Sequence, residues 1–139
     1  MKKTLLAVIA LVAFPLFAGD AYQPTDAERA RWTMLDMGSW RTCFDAYKLD
    51  HGKYPELKSA EEARAAFEPV YVRHLPMTDG WGHAYAVDSS AGTYAVVSAG
   101  ADGKFDRHTW SAGGTLQSFD EDAVITNEGR WLFRHWDFK

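Results

Sequence analysis

Thr25-Asp26-Ala27-Glu28 opens a helix. In this capping box the threonine hydroxyl and the glutamate carboxylate satisfy amide groups left free at a helix start. Asp26 adds negative charge where the helix dipole favours it. The helix is expected to run to about Asp50, with Gly52 after His51 as its left-handed terminator. Met37, Trp40, Phe44 and Tyr47 recur three, four and three residues apart, with Cys43 alongside and Trp32 and Met34 earlier. That pattern is one stripe facing a core. Arg29, Arg31, Asp36, Arg41, Asp45 and Lys48 form a largely solvated remainder. Roughly 26 residues at about 1.5 Å each give a helix of about 39 Å. Such a length exceeds what a small domain needs, so this helix is a spine on which the rest must pack.

After a loop through Gly52, Tyr54 and Pro55, Ser59-Ala60-Glu61-Glu62 reads as a second capping box. It opens a short Ala-rich helix to about Glu68, where Pro69 stops it. Asp79-Gly80 and Gly82 place turn chemistry on both sides of Trp81. His83 to Asp88 and Thr93 to Ser98 are expected as two short strands joined by Ser89-Ser90-Ala91-Gly92. The segment from Gly100 to Ser118 reads as a loop. Ala123 to Thr126 and Arg130 to Trp136 are further candidate strands, with Asn127-Glu128-Gly129 as the turn between them. Helices first and antiparallel hairpins afterwards define an α+β fold: a long spine helix, a short second helix and a small antiparallel sheet.

The chain begins Met1-Lys2-Lys3 and is apolar from Leu5 to Ala18, broken only by Pro15. This is the pattern of a secretory signal peptide. A spanning helix needs about 20 apolar residues, and the run is too short for one. Residues 1–18 are therefore expected to be a signal peptide, cleaved after Ala18 or Ala21, and residues 19–139 one extracytoplasmic domain, periplasmic or secreted. Loss of Lys2 and Lys3 takes the formal charge from −4 to −6. An acidic chain argues against nucleic acid or an anionic membrane as partner. The single cysteine, Cys43, excludes an internal disulfide and sits on the apolar helical face.

Three segments together resemble a known family. Ala46-Tyr47-Lys48-Leu49-Asp50-His51-Gly52-Lys53-Tyr54-Pro55 resembles the exit from the spine helix in the G-type major pseudopilin of type II secretion systems. Leu75-Pro76 with Asp79-Gly80-Trp81-Gly82-His83-Ala84-Tyr85 is similar to that family's element before its first strand. Tyr94-Ala95-Val96-Val97-Ser98-Ala99-Gly100-Ala101-Asp102-Gly103-Lys104 is similar to its Tyr-x-x-x-Ser-x-Gly-x-Asp-Gly strand and loop. The resemblance implies a pilin-head-like fold of the same element order. The family starts with a prepilin leader and a long apolar helix that packs in a filament core. Here a signal-peptide pattern and a polar stretch from Gly19 to Arg31 stand instead, which implies a free head that does not polymerise as the family does.

The resemblance also implies calcium. In the family, ligands come from the serine of that strand, from an Asp-x-Asp-Ile segment downstream and from nearby carbonyls. Ser98 matches the serine, and Asp122-Ala123-Val124-Ile125 matches the segment with Val124 in place of the second aspartate. Asp120 and Glu121 stand just upstream as substitutes, since calcium accepts six to eight oxygens in flexible geometry. Without the resemblance, Asp102-Gly103 is a turn and Asp120-Glu121-Asp122 a solvated acidic patch.

No pair among His51, His74, His83, His108 and His135 has zinc-site spacing. Ser98, His108 and Asp102 can be drawn as a triad, but no Gly-x-Ser-x-Gly elbow accompanies them. Trp110, Trp131 and Trp136, with Arg130 and Arg134 between, either pack an appended strand or form an aromatic contact surface. The expectation is a non-enzymatic, pseudopilin-like component of protein secretion, calcium-stabilised, with protein partners such as secretion-system pseudopilins. The alternative is an extracytoplasmic binding module for a glycan or small ligand that uses the C-terminal tryptophans.

Overall fold

A computed structural model of the protein describes residues 21–106 and 114–133. The capping box at Thr25 is made in full: its hydroxyl accepts from the Glu28 amide at 3.3 Å, and its amide donates to Glu28 Oε2 at 2.8 Å. The helix it starts, α1, spans Asp26–His51 and ends at Gly52 with φ 75°, whose amide donates to the Lys48 carbonyl at 2.8 Å. Helix α2, Ala60–Phe67, has only half of its expected capping box. Ser59 Oγ accepts from the Glu62 amide, but the Glu62 carboxylate takes the Lys58 amide instead of the Ser59 one.

Five strands follow: β1 Ala86–Ser90, β2 Thr93–Ser98, β3 Gly114–Leu116, β4 Ala123–Thr126 and β5 Arg130–Phe133. Their order in the sheet is β1-β2-β4-β5-β3. The first three pairs in that order are antiparallel, as in Val96 opposite Ile125, and β3 lies parallel to β5. An antiparallel sheet behind a long helix and a short one is the α+β layout expected.

Two strands differ from the sequence reading. Strand β1 begins at Ala86 rather than His83, because His83 and Ala84 belong to the Asp79 turn, where Ala84 bridges Thr78, and it carries on through Ser89 and Ser90, leaving Ala91-Gly92 as the turn. Ser89 is tolerated in the buried row because its hydroxyl donates to the Pro55 carbonyl at 2.6 Å and its backbone bridges Leu57. Strand β3 falls in the segment read as loop; it is three residues long and holds by pairing with β5. The end of the expected fifth strand, from Arg134 to Trp136, lies outside the described residues.

The core is where α1 crosses the sheet. Ala30, Thr33, Met37, Trp40 and Phe44 are fully buried, with Cys43 at their edge. Phe44 stacks on Tyr94 of β2, centroids 4.1 Å apart, and meets Phe67 of α2 edge-on at 5.0 Å. Trp40 packs edge-on against Tyr85, and its indole N–H donates to the Pro76 carbonyl at 3.0 Å. Trp32 is not part of this stripe. Three residues from Leu35 on the outer side of the helix, it is 43 % exposed; its position is one turn-fraction past the core arc.

Asp36 sits at the margin of this core beside Tyr85. Burial pushes its carboxyl above the usual carboxylate range, and the nearby Asp79 adds to that, against the Tyr85 hydroxyl bond. A carboxyl whose folded pKa is raised favours folding when protonated, and that contribution is lost as pH rises through the folded pKa. Asp36→Asn is expected to raise Tm at pH 7 and to leave it unchanged near pH ~3, below the ordinary carboxylate value. Melting curves at the two pH values check this; an equal gain at both would mean that charge is not the cause.

Candidate functional site

The turn at Asp79–Gly82 joins α1 to the far end of β2. Asp79 is the buried hub of that turn, its side chain wholly out of solvent. Oδ1 accepts from the amides of Trp81 at 3.0 Å and His83 at 2.9 Å, and Oδ2 accepts from the Ser98 hydroxyl at 2.6 Å. A buried carboxylate is costly unless its lone pairs are met, and here three donors meet them. His83 directs Nδ1 to the Gly100 carbonyl at 2.9 Å, so the turn and the end of β2 are tied twice.

Gly80 anchors the turn to the helix. Its amide donates to Thr33 Oγ1 at 2.9 Å, and its carbonyl accepts from Arg29 Nη1 at 2.9 Å. A Cβ there would stand 2.1 Å from the Arg29 carbonyl oxygen, so only glycine fits. Trp81 completes the join, donating from its indole to Asp26 Oδ1 at 2.8 Å, with its ring 6.4 Å from that of Phe119.

The loop after β2 is pressed against the loop before β4. The Ala101 amide donates to the Phe119 carbonyl at 2.7 Å. A Cβ on Gly100 would lie 2.5 Å from the Phe119 carbonyl oxygen and 2.7 Å from that of Glu121. Ser98 stands opposite Ala123 in the β2–β4 ladder, so Asp122 enters beside it. Thus the fold brings Ser98, Glu121 and Asp122 to one end of the sheet. Asp122 is buried, at 6 % exposure, rather than part of a solvated patch. Asp120 is exposed, and Glu121 Oε1 accepts from the Gln117 amide at 3.1 Å.

Tested against calcium, these residues fit in part. Asp122 offers a hard anionic oxygen in a buried setting, and Asp120 and Glu121 lie next to it. Ser98 is wholly buried, and its proton is committed to Asp79. Among the described residues no group of three or more His, Cys, Asp or Glu side chains is arranged to hold a metal. The same commitment bears on catalysis. A serine nucleophile gives its proton to a base beside an accessible carbonyl site, whereas Ser98 gives it to a carboxylate inside the core.

Of the C-terminal aromatic group, Arg130 is exposed and pairs with Ile125, and Trp131 pairs through its backbone with Val124 and Gly114. Trp110, Arg134 and Trp136 lie outside the described residues, as do His108 and the expected signal peptide. Cys43 is 1 % exposed, and burial pushes its thiol up to about 11, in keeping with a small apolar core residue. No described helix is long and apolar enough to cross a membrane. Sequence reading had Asp79 only as a turn residue. Its signal was present, since an aspartate two and four residues before amides it can accept from is an Asx turn.

A spine helix, a short second helix and a sheet locked to the spine by a buried aspartate turn define a pilin-head type of domain. The family model for type II secretion system (T2SS), protein G matches residues 21–113, and the chain belongs to that family. No curated protein and no solved structure matches it.

Removal of the hub is expected to be severe. Asp79→Ala leaves two part-buried amides and a buried hydroxyl without their acceptor, a loss of about 3 kcal/mol. Asp79→Asn keeps one acceptor oxygen and is expected to cost less. Urea unfolding of the two variants checks the order; equal midpoints for Asp79→Ala and the parent protein would sink the hub.

Proposed function

We propose that this chain is a non-enzymatic, extracytoplasmic, pseudopilin-like component of type II secretion that acts by binding other proteins. The family match over residues 21–113 carries this reading, because it covers the spine helix, the aspartate turn and the first hairpin together. The buried, proton-donating state of Ser98 supports a structural role over a hydrolytic one. Residues 1–18 serve as the export signal, in keeping with their basic start and apolar run. Co-purification from the secreting cell is the test. The tagged protein is expected to retain secretion-system pseudopilins, and a charge reversal on its contact surface to release them. Retention of none by a folded protein would remove the secretion role.

A second proposal concerns metal. The buried Asp122 supports a calcium ion at the junction of the two loops, with Asp120, Glu121 and loop carbonyls as further oxygens. Bound there, calcium would cross-link the loop after β2 to the loop before β4. At about 100 times its dissociation constant a ligand stabilises by about 2.7 kcal/mol, on the order of 10 °C in Tm for a domain of this size. Calcium is expected to raise Tm, chelator to reverse it, and Asp122→Ala to abolish the shift. An unchanged Tm in the parent protein would mean that Val124 marks a lost site.

A further inference from the structure

The apolar run from Leu5 ends at Ala18, and the capped start of α1 stands at Thr25. The export reading of the first residues, on which this inference rests, calls for a cut between these two points. A cleavage site of the A-x-A type has small residues one and three positions before the bond. Cutting after Ala18 puts Leu16 three positions back, and cutting after Gly19 puts Phe17 there. Asp20, Tyr22 and Gln23 are not small residues and do not suit the position before the bond. Gly19-Asp20-Ala21 alone meets both conditions.

The start of the fold leaves this bond within reach. A peptidase must approach the scissile carbonyl, and in a helix each carbonyl is tied to an amide four residues on. Residues 21–25 stand outside α1, and Ala21, Tyr22 and Gln23 are exposed. Two devices keep the helix from growing back toward the bond. Pro24 biases Gln23 away from helical dihedrals. Thr25 is extended, at φ −71° and ψ 162°, with its hydroxyl and its amide both engaged by Glu28.

We propose that the export segment extends past its apolar run to Ala21 and that a signal peptidase hydrolyses the Ala21–Tyr22 bond. Water adds across the amide. Ala21 becomes the carboxylate end of the released segment, and the nitrogen of Tyr22 takes the proton and becomes the new amino terminus. The mature chain then begins Tyr22-Gln23-Pro24, directly before the N-cap. Its first side chain is anchored: the Tyr22 hydroxyl donates to Glu28 Oε1, while Glu28 Oε2 accepts from the Thr25 amide at 2.8 Å. The new ammonium lies near a helix N-terminus, where the dipole disfavours a cation. Asp26 and Glu28 in the first turn supply the opposite charge. The cut therefore leaves a short lead that closes back onto the helix cap.

Intact mass and amino-terminal sequencing of the full chain expressed in a secreting cell test the site. The exported protein is expected to have the mass of residues 22–139 and to read Tyr22-Gln23-Pro24-Thr25 from its first cycle. Ala21→Phe and Gly19→Leu are each expected to abolish cleavage at this bond, with the full-length precursor accumulating. Ala18→Phe is expected to leave the cut where it is. All three positions precede the helix cap, so the changes leave the contacts of the folded domain as they are. An exported protein that starts at Gly19 overturns the proposal while leaving export intact. A full-length chain found only in the cytosol overturns it too, and removes the export reading with it.

Discussion

Phe44 lies flat on Tyr94, and most of the molecule is arranged around that contact. The two rings belong to the C-terminal half of α1 and the start of β2, and they join the spine to the centre of the sheet. Around them, Phe67 closes from α2 and Tyr54 from the loop after the spine, each edge-on. Aromatic pairs in such geometries add to the area they bury. The short second helix has eight residues and would be marginal alone; Phe67 gives it a place in the core. The same contact fixes the rotation of α1, because a helix pinned at Phe44 and Trp40 cannot turn Leu35 or Leu49 inward.

The aspartate turn does for one end of the molecule what the aromatic cluster does for its middle. Packing alone would hold the first turns of α1 weakly, since only Ala30 and Thr33 are buried there. Polar contacts complete the job: Gly80 on Thr33 and Arg29, Trp81 on Asp26, and Asp79 on Ser98. In a low-dielectric interior such bonds are strong when every partner is met and costly when one is missing. The end of the sheet that bears Ser98 and Asp122 is therefore rigid on its β2 side. Any ion or partner that uses this end meets a framework already in place.

Much of this was legible from the residues. Capping signals placed α1 at both ends, and short apolar runs bounded by turn residues placed β2 and β4. The family was legible because turn and strand motifs recur in order, and one of the three, Asp79-Gly80-Trp81-Gly82, is also the physical join between helix and sheet. Other features were hidden by the limits of local pattern. Strand β3 has three residues and no periodicity of its own; only β5 defines it. Ser89 reads as a loop residue until Pro55 appears beside it. The commitment of Ser98 to Asp79 is a contact between residues 19 apart, and no local motif announces which acceptor a serine will choose. Trp32 was placed inward because it is large and apolar, although its phase on the helix was already the outer one.

That misplacement has a physical lesson. Apolar residues on a helix are ordinarily taken as evidence for one core, but α1 has two apolar phases about 200° apart, and a single sheet can cover only one. Leaving the second uncharged exposes large side chains to water at a cost proportional to their area, with no benefit to the fold of one chain. Charged residues at Leu35 or Leu49 would leave the core contacts untouched.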